Sequence, residues 1–214
     1  MAGLTAFDLK AAASRIATGA EAAAAMLNTQ DGLLGDGDLG VTVARGWQAV
    51  ASAGETFPDD IGKSFMACAK AFQQVSSSSF GTLVATAFIA VAKKTSGAVE
   101  IPLAAVPDLL ATAGEAMAAR GKGAIGDKTV LDSLAAVVGA IRNCADPAAM
   151  ASAADAAARA ALDEYRDKPS RLGRARMFAE RSAGLDDPGM LAFQVIVAAL
   201  AGTKPVQPAA AAKE

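Results

Sequence analysis

Eight stretches of the sequence begin and end with signals typical of α-helices, and this succession constrains the fold more than any other feature. Asp-Pro pairs, which supply an N-cap followed by proline in the first turn, begin two of the stretches. Apolar runs such as 83–91 are rich in alanine, which favours helix over strand. The sequence therefore predicts an all-α fold of antiparallel up-and-down helices, at about residues 5–27, 39–53, 60–75, 81–94, 102–120, 127–143, 146–168 and 187–201.

The residue inventory limits the chemistry of this chain. The 214 residues include no histidine and carry a formal net charge of −2, so neither a histidine base nor a basic nucleic-acid surface is expected. The longest apolar run, 190–200, is too short to span a bilayer, and no signal peptide is evident. Two widely separated cysteines are expected to be reduced, which predicts a cytoplasmic protein. We expect one domain, residues 1–202, and a disordered Pro/Ala-rich tail, residues 203–214.

Motifs rich in glycine, serine and aspartate stand at the starts of the second, fourth, sixth and eighth predicted helices. In an up-and-down arrangement these four starts lie at the same end of the molecule. Helix N-termini carry unpaired N–H groups and partial positive charge, so their convergence predicts a site for an anion such as phosphate. The motifs are Gly35-Asp36-Gly37-Asp38-Leu39-Gly40, Ser76-Ser77-Ser78-Ser79-Phe80-Gly81-Thr82, Gly126-Asp127-Lys128-Thr129 and Asp186-Asp187-Pro188-Gly189.

Three aspartates, Asp31, Asp36 and Asp38, fall close together in a predicted glycine-rich loop. Carboxylates beside a phosphate site repel the phosphate unless a cation lies between them. The spacing therefore indicates a Mg²⁺ site, in which phosphate oxygens and water complete an octahedron around the ion. The loop lacks the terminal glutamate of a calcium-binding EF-hand loop.

Each motif also has a purely structural interpretation. Asp38, Asp127 and Asp187 are suited to be ordinary N-caps, and the loop aspartates are suited to shape a turn. The serine run has the composition of a solvated linker. The arginine cluster at 171–176 is interpreted as a solvated charged face rather than as a site.

Three blocks of the sequence follow one another in a characteristic order and spacing. They are Asp31 to Gly46; Arg120-Gly121-Lys122 with Gly126-Asp127-Lys128-Thr129 and Asp132; and Glu180-Arg181-Ser182-Ala183-Gly184 with Asp187-Pro188-Gly189. Together they resemble the signature of the dihydroxyacetone kinase L subunit family, also called the DhaL or DAK2 domain family. The resemblance covers residues 5–202.

The resemblance implies a closed barrel of eight antiparallel helices that binds ATP or ADP at one end. It also implies that Asp31, Asp36 and Asp38 hold Mg²⁺ ions that bridge the nucleotide phosphates, and that these residues and Arg181 form the catalytic set. In this family the ketose is held by a histidine of a separate K-type subunit or domain. The nucleotide-binding residues implied by the resemblance are Thr42, Ser77, Ser78, Ser79, Gly81, Thr82, Gly121, Thr129, Val130, Asp187 and Pro188.

The chain departs from the family pattern at three places. Leu39 replaces the usual histidine, Thr42 replaces the usual asparagine, and 77–82 replaces the usual GGxSGP loop. The expected function is the Mg-nucleotide-binding, phosphoryl-donating subunit of a dihydroxyacetone-type (ketose or triose) kinase. The alternative is a non-catalytic nucleotide-binding or regulatory module. Expected partners are a K-type subunit and, where ADP stays bound, a phosphotransferase protein that recharges it. The rim around the nucleotide end is the expected docking surface, with candidate contacts at Lys122, Lys128, Arg174 and Arg176. The oligomeric state, a homodimer included, is left open.

Overall fold

The computed structural model describes residues 3–144 and 146–208 of the chain. The regular secondary structure of these residues is helical, apart from an isolated antiparallel bridge between Leu4 and Ile101. Short 3₁₀ turns lie at Leu103–Ala105, Arg174–Phe178 and Glu180–Ser182. The eight α-helices of the described part are α1 (Ala6–Leu34), α2 (Leu39–Gly54), α3 (Ile61–Val75), α4 (Ser79–Lys94), α5 (Val106–Gly121), α6 (Val130–Ile141), α7 (Pro147–Tyr165) and α8 (Pro188–Ala201).

The helices form a closed ring. Each helix packs against the next one in the chain, and α8 packs against α1. This arrangement confirms the predicted all-α, up-and-down antiparallel barrel. In the main core, the rings of Phe72 and Phe88 meet Trp47 edge-on, with centroids 6.2 and 5.7 Å away. Because neighbouring helices alternate in direction, the starts of α2, α4, α6 and α8 lie at one end of the barrel.

The predicted Asp-Pro helix starts are confirmed. The Asp146 carboxylate accepts the N–H groups of Ala148 and Ala149 at the start of α7. The Asp187 carboxylate accepts the N–H of Met190 at 2.9 Å at the start of α8. The proline that follows each aspartate occupies the first turn, where a backbone N–H has no helical partner to lose.

The start of α6 differs from the prediction. Thr129, rather than Asp127, is the N-cap, because its hydroxyl accepts the Leu131 N–H at 3.2 Å. The Asp132 carboxylate in turn accepts the Thr129 N–H at 2.7 Å. Asp127 instead accepts the Ala124 N–H at 2.8 Å within the preceding turn. Thr129 and Asp132 thus form a reciprocal capping box at the start of α6.

Helix α1 is longer than predicted, because it continues beyond Leu27 to Leu34. Both leucines are buried, and their spacing of seven residues keeps them on the same face of the helix. The predicted placement of Asp31 in a glycine-rich loop is therefore wrong. Asp31 lies in the last turn of α1, which gives its side chain a rigid base.

The first part of the expected disordered tail lies against the barrel. The Thr203 hydroxyl donates to Asp155 at 2.9 Å, and the Val206 N–H donates to the side-chain oxygen of Gln194 at 2.9 Å. Residues 203–206 are thus hydrogen-bonded to α7 and α8. The rest of the expected tail, 209–214, lies outside the described residues. In the described part, none of the helices has the length and apolar character needed to cross a membrane.

Candidate functional site

One end of the barrel opens into a cleft of about 830 Å³. The starts of α2, α4, α6 and α8 and the ends of α1 and α5 form its walls, and the connection between α7 and α8 covers one side. The motifs at the alternate helix starts therefore meet in space. The predicted site residues that line this cleft are Asp31, Asp36, Asp38, Ser77, Ser78, Ser79, Thr82, Gly121, Thr129, Val130, Asp187 and Pro188.

Three carboxylates form a cluster where α1 ends and α2 begins. Oxygen atoms of Asp31, Asp36 and Asp38 lie within 4.8 Å of one another. One oxygen of Asp31 accepts the backbone N–H groups of Gly37 at 2.9 Å, Asp38 at 3.0 Å and Leu39 at 3.3 Å. Gly37 has a φ of +77°, which glycine adopts without strain, and this conformation folds the connection back onto α1. Backbone hydrogen bonds therefore fix the shape of the cluster.

The three carboxylates repel one another. Burial, followed by the charges of Asp36 and Asp31, raises the pKa of Asp38. Arg174 forms an ion pair with Asp36, and its hydrogen bond lowers the pKa of that carboxyl. A divalent cation among these oxygens would relieve the repulsion, and carboxylate oxygens are the ligands that Mg²⁺ prefers. The residues present thus fit a magnesium ion.

The serine segment forms the start of α4 and the adjacent wall of the cleft. The Ser78 hydroxyl caps the helix by accepting the Gly81 N–H at 3.0 Å, and it lies 3.1 Å from the Ser76 hydroxyl. A side chain at position 81 would approach the Ser76 hydroxyl oxygen to 2.3 Å, so the segment requires glycine there. Ser77 and Ser79 are exposed at the cleft. Their hydroxyls and the N–H groups of the first turn of α4 are suited to bind an anion.

The opposite part of the cleft is less charged. Val130 lies beside Gly189, since a Cβ on this glycine would come within 3.9 Å of it. Asp187 lines the same region, and burial raises the pKa of its carboxyl to about 6. This part suits a ring and a sugar better than a phosphate. Its other apolar lining residues include Leu83, Met117 and Leu131.

Three predicted site residues do not line the cleft. Thr42 is buried in the first turn of α2, on a face that turns towards the core. Gly81 is buried behind the serine segment. Arg181 lies in the 3₁₀ turn Glu180–Ser182, and its guanidinium lies over the ring of Phe178, 5.3 Å from the centroid. The geometry therefore gives Thr42 and Arg181 no direct contact with the cleft.

The connection between α7 and α8 contributes to the site through residues that lie outside the 180–184 sequence block. We call residues 166–184 the strap; within it, residues 172–177 line the cleft. Arg174 and Arg176 are exposed and also line the cleft, so these solvated charges lie at its rim. Arg120, at the end of α5, is a further cation of the cleft. The available signal was a cluster of arginines in a connection rather than on a helix.

A family model described as the DAK2 domain matches residues 33–202. The chain belongs to the DAK2 domain family. This confirms the resemblance that the three sequence blocks suggested. The matched residues contain Asp36, Asp38, the serine segment, the strap and the starts of α6 and α8.

Curated proteins with similar sequences are kinases or kinase subunits. The chain is 28% identical over 180 residues to the ADP-binding subunit DhaL of PEP-dependent dihydroxyacetone kinase 1 from Listeria innocua, covering 84% of this chain and 87% of the relative. It is 29% identical over 174 residues to the ADP-binding subunit DhaL of the PEP-dependent kinase from Escherichia coli, covering 78% and 82%. L-erythrulose 1-kinase from Mycolicibacterium smegmatis is 30% identical over 186 residues, which cover 82% of this chain and 32% of that kinase.

Two solved structures share the fold of this DAK2 domain. The native form of the dihydroxyacetone kinase of C. freundii superposes with a TM-score of 0.73 at 21% identity, covering 91% of this chain and 34% of that chain. The same kinase in complex with AMP-PNP and Mg²⁺ gives a TM-score of 0.71 at 22% identity, covering 94% and 34%. The chain thus spans about a third of the length of that kinase and has the fold of that part.

The three departures from the DAK2 family pattern differ in their consequences. Leu39 lines the cleft and also packs in the main core, so an apolar side chain occupies the place of the usual histidine. Phe80 lines the cleft beside the serines and adds an aromatic ring to that wall. Thr42 is buried and does not line the cleft. None of the three removes a carboxylate of the cluster.

Proposed function

We propose that this chain is the Mg-nucleotide-binding, phosphoryl-donating subunit of a dihydroxyacetone-type kinase that acts on a small ketose. The observation that carries the proposal is the meeting of Asp31, Asp36 and Asp38 with the serine segment in one cleft. The relatives named as ADP-binding subunits match 84% and 78% of the chain, which supports a nucleotide as the ligand.

The carboxylate cluster is the proposed magnesium site. Asp31, Asp36 and Asp38 would hold Mg²⁺, which neutralises negative charge on nucleotide phosphates when bound. Asp31 is held by three backbone N–H groups, so its carboxylate keeps one orientation. Arg174 faces the same cluster through its ion pair with Asp36, and its guanidinium can pair with a phosphate oxygen.

The other walls of the cleft are proposed to bind the rest of the nucleotide. Ser77, Ser78, Ser79 and Thr82, with the N–H groups of α4, would hold the phosphates. The less charged region opposite would surround the base and the sugar. Its proposed contacts are Gly121, Thr129, Val130, Asp187 and Pro188.

The acceptor is proposed to come from a partner. The chain has no histidine with which to hold a ketose in the manner of the family. Transfer needs the acceptor hydroxyl within about 3–3.5 Å of the reacting phosphorus, so a K-type subunit would dock over the cleft mouth. Two relatives are named PEP-dependent, which favours an ADP that stays bound and is recharged by a phosphotransferase protein over exchange with ATP.

Removal of the carboxylates tests the site. With Mg²⁺ present and ADP or ATP at 100 times its Kd, we expect a stabilisation of about 2.7 kcal/mol, or roughly 5–10 °C in Tm. Asp36→Asn with Asp38→Asn should abolish this shift, because the cation loses two ligands. The matched control is Asp59→Asn with Asp108→Asn, two exposed carboxylates near the opposite barrel end. An undiminished shift in the first variant would rule out the carboxylate site.

Leu39 favours a second candidate, a non-catalytic nucleotide-binding or regulatory module. Its side chain lines the cleft and cannot donate a hydrogen bond to a phosphate, unlike the usual histidine. Under this candidate, Mg-nucleotide binds normally, but addition of a K-type subunit yields no phosphorylated ketose. Binding and turnover measured on the same preparation therefore separate the two candidates.

A further inference from the structure

Lys128 is a buried cation to which the proposed function gives no role. Its side chain is fully buried, and its ammonium donates to the carbonyls of Arg166 at 2.8 Å, Lys168 at 2.8 Å and Ser182 at 2.7 Å. An ammonium has three N–H donors and no acceptor, so these three carbonyls use its full capacity. All three carbonyls belong to the strap.

The ammonium lies where the two ends of the strap meet. Near this point the Gly184 N–H donates to the Arg166 carbonyl at 2.9 Å. The Ser170 N–H donates to the Ser182 hydroxyl at 2.7 Å. The strap is therefore a loop closed at its base, and Lys128 bridges both sides of that base.

The same base is attached to the start of α6. Lys128 directly precedes Thr129, the N-cap of α6. The carbonyl of its other neighbour, Asp127, accepts the Arg171 N–H at 3.1 Å. Thr129 and strap residues 172–177 all line the cleft. One short segment thus joins two cleft walls that are far apart in the sequence.

The position of Lys128 has two energetic costs. Burial lowers the pKa of its amine, although the nearby carboxylates of Asp187, Asp186 and Asp167 oppose this effect. Its backbone has a φ of +61°, which is unfavourable for a residue with a side chain. An apolar side chain would fill the same space without a buried charge. The three hydrogen bonds to the strap are what an apolar side chain could not supply.

We propose that Lys128 is a positioning residue that holds the strap over the cleft. Without its ammonium, the base of the strap loses three hydrogen bonds, although the Arg166 carbonyl keeps the Gly184 N–H and the Ser182 carbonyl keeps the Leu185 N–H. The segment that carries Arg174 and Arg176 then loses its fixed position. The barrel itself is held by apolar contacts between helices and keeps its fold. The consequence for nucleotide binding rests on the proposed function, whereas the consequence for the strap does not.

The test compares Lys128→Met and Lys128→Gly with the wild type. Lys122→Gly is the matched control, because Lys122 has a φ of +56° but is exposed, so glycine relieves a similar strain without touching the strap. Calorimetry with Mg-ADP reports the affinity of the cleft. Limited trypsin digestion measures how readily each region opens. Cleavage after Lys93 and Lys94 reports opening of the barrel. Cleavage after Arg171, Arg174, Arg176 and Arg181 reports opening of the strap.

We expect strap cleavage to be faster on the order of tenfold in both Lys128 variants, with cleavage at Lys93 and Lys94 unchanged. The affinity for Mg-ADP should fall on the order of tenfold in the same variants and stay unchanged in the control. Unchanged strap cleavage, an equal increase at all sites, or faster strap cleavage without loss of affinity would each overturn the positioning role. A wild type that binds no nucleotide would refute the proposed function. In that case the rate of strap cleavage by itself would still test whether Lys128 anchors the strap.

Hydrogen exchange of the wild type provides a second test that needs no variant to fold. The N–H groups of Ser170, Arg171 and Gly184 are hydrogen-bonded at the base of the strap. We expect them to exchange as slowly as amides of the barrel helices. Exchange at the rate of an unstructured peptide would overturn the anchored strap.

Discussion

At the scale of single residues, Asp187 reports the electrostatics of the cleft. Burial raises the pKa of its carboxyl from 3.8 to about 6, and hydrogen bonds from Met190 and Gly189 and the charge of Lys128 only partly oppose this. Folding therefore favours the protonated form. The stability from this group is fully present below about pH 4 and is lost as the pH rises through about 6.

Replacing Asp187 by asparagine should keep the helix cap and remove the charge. We expect the free energy of unfolding of the wild type to fall relative to Asp187→Asn between about pH 4 and 6, with a constant difference at higher pH. Urea denaturation across this range measures the effect. Asp146→Asn makes the same change at the exposed cap of α7 and controls for cap chemistry. A difference that does not vary with pH would contradict the raised pKa.

Individual site residues differed in how well the sequence predicted them. Asp36 and Asp38 were predictable, because two carboxylates around one glycine exceed what a helix cap needs. Asp31 was assigned to the right cluster but to the wrong element. The expectation that Lys128 contacts a partner subunit is wrong, because its side chain is fully buried. This burial was not predictable, since lysine is normally exposed and its three acceptors lie 38, 40 and 54 positions away in the sequence.

At the scale of helices, the close approach of α1 and α2 depends on Gly40. A Cβ at this position would lie 2.0 Å from the Ala24 carbonyl oxygen and 2.7 Å from the side-chain oxygen of Asn28. The Asn28 oxygen also accepts the Val41 N–H at 3.2 Å. The carboxylate cluster forms at this junction, so the packing of the two helices sets its geometry.

We expect Gly40→Ala to destabilise the protein by about 3 kcal/mol, because the added methyl group forces the helices apart. The affinity for Mg-nucleotide should fall together with the stability, because the carboxylate cluster is built on both helices. Gly139→Ala is the matched control: an added Cβ in this part of α6 meets no atom within 4 Å. There alanine should stabilise the helix by about 0.5–1 kcal/mol. Urea denaturation of both variants checks the prediction, and equal effects would contradict it.

Helix bounds set by local chemistry were more predictable than bounds and connections set by distant contacts. The Asp-Pro starts of α7 and α8 depend on local chemistry that a few neighbouring residues supply. The end of α1 depends on the burial of Leu34 in the barrel, which no local signal records. The strap has the composition of an exposed connection, and its order comes from distant partners such as Lys128.

At the scale of the whole molecule, the alternation of helix direction determines where the cleft lies. Eight helical segments with short connections were enough to predict that the motif-bearing starts share one end. The depth of the cleft was not predictable, because the strap that covers one side of it approaches α6 through tertiary hydrogen bonds. The cleft lies at one end of the barrel, where a second subunit can reach it.

The division of labour between two subunits is tested most directly by a coupled kinase assay. Purified protein is supplied with Mg-ATP, or with PEP and phosphotransferase proteins, and with dihydroxyacetone, glyceraldehyde or erythrulose as acceptor. We expect the chain alone to hydrolyse nucleotide slowly and to phosphorylate none of these acceptors. Addition of a K-type subunit should give turnover. Asp36→Asn with Asp38→Asn should give no turnover in either condition. Robust ketose phosphorylation by the chain alone would contradict the proposed role of phosphoryl-donating subunit.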